Sequence, residues 1–374
     1  MCAVEWKKLG DVCEIKNGYT PSTKNSDFWI GGNIPWFTLE DIRKNGRILN
    51  DSIKHITSKG LKKGGLFPKD SIIISTTATI GEYALVTSDY ICNQQITSIS
   101  LKNTEKNNIL IKYLYYLADD LGKWCLKNVN GGGSLLIISI SKLNNYLIPL
   151  PPLAKQQEIV SQLDTFTNLI SNLESELDMR RKQYEHYRNQ LLDFEGVEGV
   201  EWKTLGEVCT IITGGEVPEN TNKGQLEPSK EYPYAVYTNG KEVYGYTNNY
   251  QLDVESVCIS SIGANTGAVF YRNGKFTPAI RLKVLIPNAY LLAKYLFYIS
   301  EITDFSGKNT GSVPNINANY VKRIVIPVPS LKTQQEIVEK LDAFEQLIQS
   351  LEQEIKLRKQ QYEYYREKLL TFEK

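Results

Sequence analysis

Residues 149–160 read PLPPLAKQQEIV, and residues 327–338 read PVPSLKTQQEIV. Proline has no backbone N–H to give and is accepted at the first turn of a helix, so each motif marks a helix start. Beyond the first start, apolar or aromatic residues fall at Ile159, Leu163, Phe166, Ile170, Leu173, Leu177, Tyr184, Tyr187, Leu191 and Phe194. The steps alternate between four and three, interrupted where Arg180 takes the next place. The second copy runs from Ile337 through Leu341, Phe344, Ile348, Leu351 and Ile355 to Phe372, with Arg358 at the gap. A stripe this narrow is a heptad seam and wants one partner helix. That partner is either a second molecule or the other copy on the same chain; the internal antiparallel pair is preferred because both seams are already present.

Working outward, the rest of the chain also repeats. VEWKKLGDVC from Val4 returns as VEWKTLGEVC from Val200, and DSIIISTTATIGEYALV from Asp70 resembles ESVCISSIGANTGAVFY from Glu255. Each of the latter reads as two strands around a glycine-containing turn. KYLYYL from Lys112 answers KYLFYI from Lys294, and Gly133-Ser134 answers Gly311-Ser312. The offset between copies is 196 at the start and 178 in the helices, which align without a gap from 149–196 to 327–374. Length differences therefore accumulate in the globular parts. The expected organisation is α/β (α+β): mixed domains over 1–148 and 197–326, alternating with long helices over 149–196 and 327–374. An antiparallel pair would carry the globular domains at its opposite ends in pseudo-two-fold symmetry. The junction DFEGVEGVEWK links the first helix to the second domain within a few residues. Its counterpart would join Phe372 to Trp6, so Met1 and Lys374 are expected to lie close together.

Composition narrows the class. The 374 residues are 41% hydrophobic and 23% charged, the balance of a globular protein, and no window reaches the apolar length of a membrane span. The first residues lack the basic-then-apolar order of a secretory leader, so a cytoplasmic chain with reduced cysteines is expected. Six scattered cysteines without a CxxC pair, and two histidines, suggest no metal site. Net charge is +1 overall, but +5 over 1–148, −4 over 149–199, +1 over 200–326 and −1 over 327–374. Positive charge sits outside the helices, compatible with nucleic-acid-facing domains.

The run NGYTPSTKNSDFWIGGNIPWFTLEDI from Asn17, with the paired IPLPPLAKQQEIV and IPVPSLKTQQEIV segments, resembles the S (specificity) subunit of type I restriction-modification enzymes over essentially the whole chain. The resemblance implies a non-catalytic, sequence-specific DNA-binding subunit. Its two target-recognition domains would each read half of a bipartite double-stranded DNA site, with an unread gap fixed by the paired helices. It also implies two methyltransferase (M) subunits docked on the helices and a separate restriction/motor (R) subunit. S-adenosylmethionine, ATP and Mg would then belong to those partners, with no cofactor in this chain. A helix of about 39 residues at 1.5 Å per residue spans roughly 58 Å, comparable to about 17 base pairs of B-DNA. The second domain departs from the pattern, having GGEVPENTNKGQLEPSKEYPYAVY without an IPW element.

No catalytic motif competes. Pro151-Pro152 is preceded by Leu150, where an amino-methyltransferase needs Asn or Asp. Asn130-Gly131-Gly132-Gly133-Ser134 lacks the lysine of a P-loop, and His55 and His186 offer little to activate a nucleophile. The alternatives are a coiled-coil scaffold whose globular domains bind protein or glycan, and a self-sufficient DNA-modifying enzyme.

Candidate DNA contacts come from polar loops. In the first domain they are Thr20, Ser22, Thr23, Lys24 and Asn25; Thr76, Thr77 and Thr79; and Asn93, Gln94 and Gln95, since amides pair bidentately with adenine. In the second they are Asn220, Thr221, Asn222 and Lys223; Tyr237, Thr238 and Asn239; and Ser260, Ser261, Asn265 and Thr266. Lys62, Lys63, Lys241 and Arg272 are candidate phosphate contacts. Trp6, Trp36 and Trp202 read as core, and Tyr184, Tyr187, Tyr362 and Tyr365 as seam packing.

Overall fold

The computed structural model describes residues 4–129, 136–305 and 316–372. Gly133-Ser134 and Gly311-Ser312, the glycine-rich run 130–134, Met1 and Lys374 lie outside them. The chain divides into two compact units, residues 1–172 with 355–374, and residues 173–354. The division passes through both long helices rather than at their ends.

In the first unit a five-stranded sheet has the order Cys13–Asn17, Ile96–Leu101, Ser71–Ser75, Tyr83–Val86, Ile48–Leu49. Its central strand, Ser71-Ile-Ile-Ile-Ser75, is apolar on both faces because both are covered. Successive side chains alternate across a strand, so Ile72 and Ile74 enter one core and Ile73 the other. The first core is closed by the helix Ile111–Lys127, whose Tyr113, Leu114, Tyr116, Leu117 and Leu121 recur at helical spacing. A second sheet sets Ile34–Phe37 between His55–Ile56 and the parallel strand Ile91–Cys92.

The second unit repeats this plan. Its four-stranded sheet runs Cys209–Thr213, Lys283–Pro287, Ser256–Ile259, Val269–Arg272. Val257 and Ile259 face one core and Cys258 the other, and the helix Ala293–Glu301 covers the first. Tyr234–Tyr237 pairs in parallel with Lys275–Pro278, as Ile34–Phe37 does with Ile91–Cys92. The IPW element missing from the second sequence is thus replaced by a strand of different residues, YAVY, in the same place.

The repeated VEWK segments have one job. Glu5–Lys8 pairs antiparallel with Leu147–Leu150, and Glu201–Thr204 with Val325–Val328, in the same register. Each tie ends at the start of a long helix, Leu153–Leu191 or Leu331–Leu370. The first of these stops at Leu191, so Phe194, placed on the seam from sequence, sits instead in the core of the second unit. Phe372 likewise follows its helix and packs on the first unit's core. The described chain ends, Val4 and Phe372, belong to one unit.

Each unit contains antiparallel segments of both long helices. In the first, Phe166 stacks on Tyr365 at 5.3 Å between ring centres; in the second, Tyr187 stacks on Phe344 at 5.5 Å. These two contacts exchange the same repeat positions. The seam's partner is therefore the other helix of the same chain. Tyr362 packs against the first unit's core and Tyr184 against the second's. Trp36 is buried as expected, but Trp202, on a strand that pairs only with Val325–Val328, is 55% exposed.

Candidate nucleic-acid interface

The first glutamine of each QQE motif locks the long helix to its globular domain. Gln156 is buried; its Oε1 accepts from Leu110 N at 3.0 Å, and its Nε2 donates to the carbonyls of Asn108 (3.1 Å) and Pro151 (2.9 Å). Gln334 repeats this with Leu292 N (2.9 Å), Tyr290 O (3.0 Å) and Pro329 O (2.8 Å). Tyr113 and Tyr295 each donate to a strand carbonyl at 2.9 Å, from Pro149 and Pro327. Asp164 accepts from Lys112 (2.7 Å) and Tyr116 (2.6 Å); Asp342 accepts from Lys294 (3.1 Å) and from Tyr298. Burial, reinforced by the aspartate, drives both tyrosine hydroxyls far above their ordinary range, so they remain donors. Arg366 reaches Asp119 at 2.9 Å and Arg188 reaches Glu301 at 3.7 Å.

On this frame the first unit gathers several of the candidate residues. Gly18 approaches the 92–95 turn so closely that a Cβ would lie 2.2 Å from two carbonyl oxygens, which explains the glycine. The next residues follow that turn: Tyr19 N donates to Cys92 O at 2.7 Å, and Thr20 donates to the side chain of Gln94. Lys62 lies 4.3 Å over the Tyr19 ring. Thr76 N donates to Gln95 O at 2.9 Å, bringing the 76–79 turn alongside. Ser22, Thr23, Lys24, Asn25, Lys63, Thr79 and Gln94 are exposed, while Thr20, Thr77 and Gln95 are half-buried.

Two residues in this group are scaffold rather than contact surface. Thr76 is buried with its hydroxyl 2.8 Å from that of Thr97, and Asn93 is buried with its amide turned to Gln95. In the second unit Ser260 and Ser261 are fully buried, and Ser261 donates to Arg281 O at 2.6 Å. Arg272 is also committed internally: it lies 4.0 Å over the Tyr237 ring and donates to Lys241 O at 2.6 Å. Their side chains are spent on the fold, so these five leave the set of base or phosphate contacts.

Asn239 is a hub of the second unit, accepting from Ser261 N (2.8 Å) and donating to Ile280 O (2.5 Å). Asn265 sits beside it, donating to Asn239 O at 3.4 Å, and the neighbouring Thr266 turns back to Gly263 O at 2.6 Å. Thr238 precedes it and Lys241 is exposed. Asn220 is bonded to Asn248 and Thr247, on a different strand, with Thr221, Asn222 and Lys223 adjoining; these four are not drawn into the Asn239 group.

The structure also brings out a residue that sequence reading missed. Asn93 N donates to Phe37 O and Gly18 N to Ile96 O; in the second unit Ala279 N donates to Tyr237 O and Gly214 N to Leu282 O. These bonds put Asn93-Gln94-Gln95 and Ala279-Ile280-Arg281 at the same place in the two units, although only the second turn holds left-handed backbone, at Ile280 and Arg281. The two strings share no residue, and only the glycine 196 positions apart hinted at the match.

Nothing at these surfaces has the form of a nucleophilic or metal centre. Burial pushes the thiols of Cys13, Cys125, Cys209 and Cys258 up to about 12. Among the described residues no cluster of three or more His, Cys, Asp or Glu is placed to hold a metal ion. Among them, too, no helix is long and apolar enough to cross a membrane.

Two globular units built alike, each with its own polar turn surface, define a duplicated recognition protein. The chain belongs to the type I restriction-modification DNA specificity family, whose domain matches residues 3–179 and again 197–357. It is 35% identical to the specificity subunit of the Escherichia coli type I restriction enzyme EcoprrI, over 93% of this chain and 89% of that one. It is 28% identical to a putative type I specificity subunit of Haemophilus influenzae, over 99% and 96%. In fold it is similar to the crystal structure of the S subunit of an M. genitalium type I restriction-modification system, with a TM-score of 0.64, 17% identity, and coverage of 100% and 97%. Specificity subunits are the non-catalytic components of these systems.

Proposed function

We propose that this chain reads a bipartite double-stranded DNA target, one half with each unit, and directs two methyltransferase subunits and a motor-nuclease subunit to it. The long helices set the number of unread base pairs. S-adenosylmethionine, ATP and Mg2+ are assigned to the partner subunits, and the assembly works in the cytoplasm. One observation carries this reading: a turn at the same place in both units, flanked by matching backbone hydrogen bonds, bears wholly different side chains, while the polar joins between domain and helix recur at equivalent positions. A shared frame with divergent faces is what two readers of different sequences require.

Co-purification with the methyltransferase encoded beside it, followed by mapping of methylated adenines, tests the proposal. A motif of two short specific halves around an unspecified gap is expected. A well-formed complex that neither binds nor methylates DNA would favour the scaffold reading instead.

A further inference from the structure

The turn Ala279-Ile280-Arg281 is built at a cost the fold does not need. Ile280 and Arg281 both hold left-handed backbone, with φ of 50° and 61°. For a β-branched residue followed by a long one this is strained, and such strain persists only where surrounding bonds enforce it. Here they do. Ile280 N donates to Gly215 O at 2.8 Å and Arg281 N to Gly214 O at 3.0 Å. The two carbonyls of the turn accept from Asn239 Nδ2 (2.5 Å) and Ser261 Oγ (2.6 Å). A Cβ on Gly214 would lie 2.8 Å from the backbone of Pro278 and Ala279, so the approach that supplies one of these bonds is open to glycine alone.

What this clamp presents is Arg281, which is exposed and whose guanidinium has no hydrogen-bond or ion-pair partner among the described residues. Lys283, two positions on and buried, has its ammonium depressed below its ordinary range by burial first and by the Arg281 charge second. Two cations side by side without a carboxylate call for an anionic or strongly accepting partner. At the same place in the first unit stands Gln95, with Thr97 in place of Lys283.

Taking the proposed DNA reading as its premise, we infer that Arg281 is a base-reading residue of the second unit and takes a guanine in its half-site. The planar guanidinium fork matches O6 and N7 of guanine in the major groove, while a glutamine at the same position pairs with adenine. The clamped backbone fixes where the side chain starts from, and its guanidinium gives up no internal partner on pairing with a base. The position then makes the two half-sites differ, and Lys283 supports it with charge rather than with sequence reading.

The test uses the complete complex with its methyltransferase, carrying Arg281→Gln, Arg281→Lys or no change, and maps the methylated sites of each. The wild-type complex must first yield a bipartite motif; failure there sinks the DNA reading itself and not this assignment. Given that motif, Arg281→Gln is expected to lower preference for one G·C pair in the second half-site by roughly 5- to 150-fold and to leave the first half-site intact. Arg281→Lys, which keeps a donor for O6 and N7 but loses the planar fork, is expected to fall between Arg281→Gln and the wild type. Thermal unfolding of each variant beside the wild type separates a lost contact from a lost fold. If Arg281→Gln weakens all sites alike, Arg281 is a phosphate contact, and if Arg281→Gln leaves the methylated motif unchanged, it reads no base; either result makes the assignment wrong.

Discussion

The two units differ least at the base of each globular domain and most at the 93–95 and 279–281 turns. Gln156 and Gln334 make the same three hydrogen bonds to equivalent partners, and Tyr113 and Tyr295 donate to equivalent carbonyls at one distance. At the turns the flanking backbone bonds persist, but the first unit has an amide trio where the second has Ala-Ile-Arg, with left-handed backbone at Ile280 and Arg281. The comparison separates two demands on one fold. The join between domain and helix is the same twice, because a buried polar lock leaves stranded partners when one member is changed; the turn varies in its side chains, while the main-chain bonds that flank it are kept.

The sharpest pressure on that comparison falls on the locks. Gln156→Leu and Gln334→Leu each strand one buried N–H and two carbonyls, and each is expected to cost about 3 kcal/mol in urea unfolding. Equal losses sustain the equivalence; a loss in one alone would break it. The arginine anchors should differ. Arg366 is nearly buried and reaches Asp119 at 2.9 Å and Asp120 at 3.3 Å, so Arg366→Met should cost about 2 kcal/mol. Arg188 is more exposed and 3.7 Å from Glu301, and Arg188→Met should cost about 1 kcal/mol by the same assay. Phe166→Leu and Phe344→Leu remove the two ring stacks, and about 1 kcal/mol each is expected. Gln94→Ala touches an exposed turn, so its stability should stay within about 0.5 kcal/mol of wild type. Its methylation map, in contrast, should change in the first half-site only.

Much of the frame could be read directly from the residue string. The duplication, the helix starts at Pro151-Pro152 and Pro329-Ser330, and the heptad seam all follow from local pattern and period. The lock did not, because the first glutamine of QQE looks like any polar helix residue until Leu110 and Asn108 are brought to it from more than forty positions away. Burial of Thr76, Asn93, Ser260 and Ser261 was equally hidden, since a polar residue in a turn is exposed or enclosed according to which distant strand covers it. Trp202 shows the converse: an aromatic residue read as core stays exposed, although Trp6 at the same place in the first unit is half-buried. Arg281 escaped notice because the equivalence of its turn with 93–95 resides in backbone bonds and leaves no trace in side-chain identity.

On the proposed function, two independent readers share one ruler. The direct measurement lengthens both long helices by one heptad, which preserves the seam, and maps the sites methylated by the resulting complex. The expected motif keeps both half-sites and widens the gap between them. Methylation at an unchanged gap, or at altered half-sites, would show that the helices do not set the spacing.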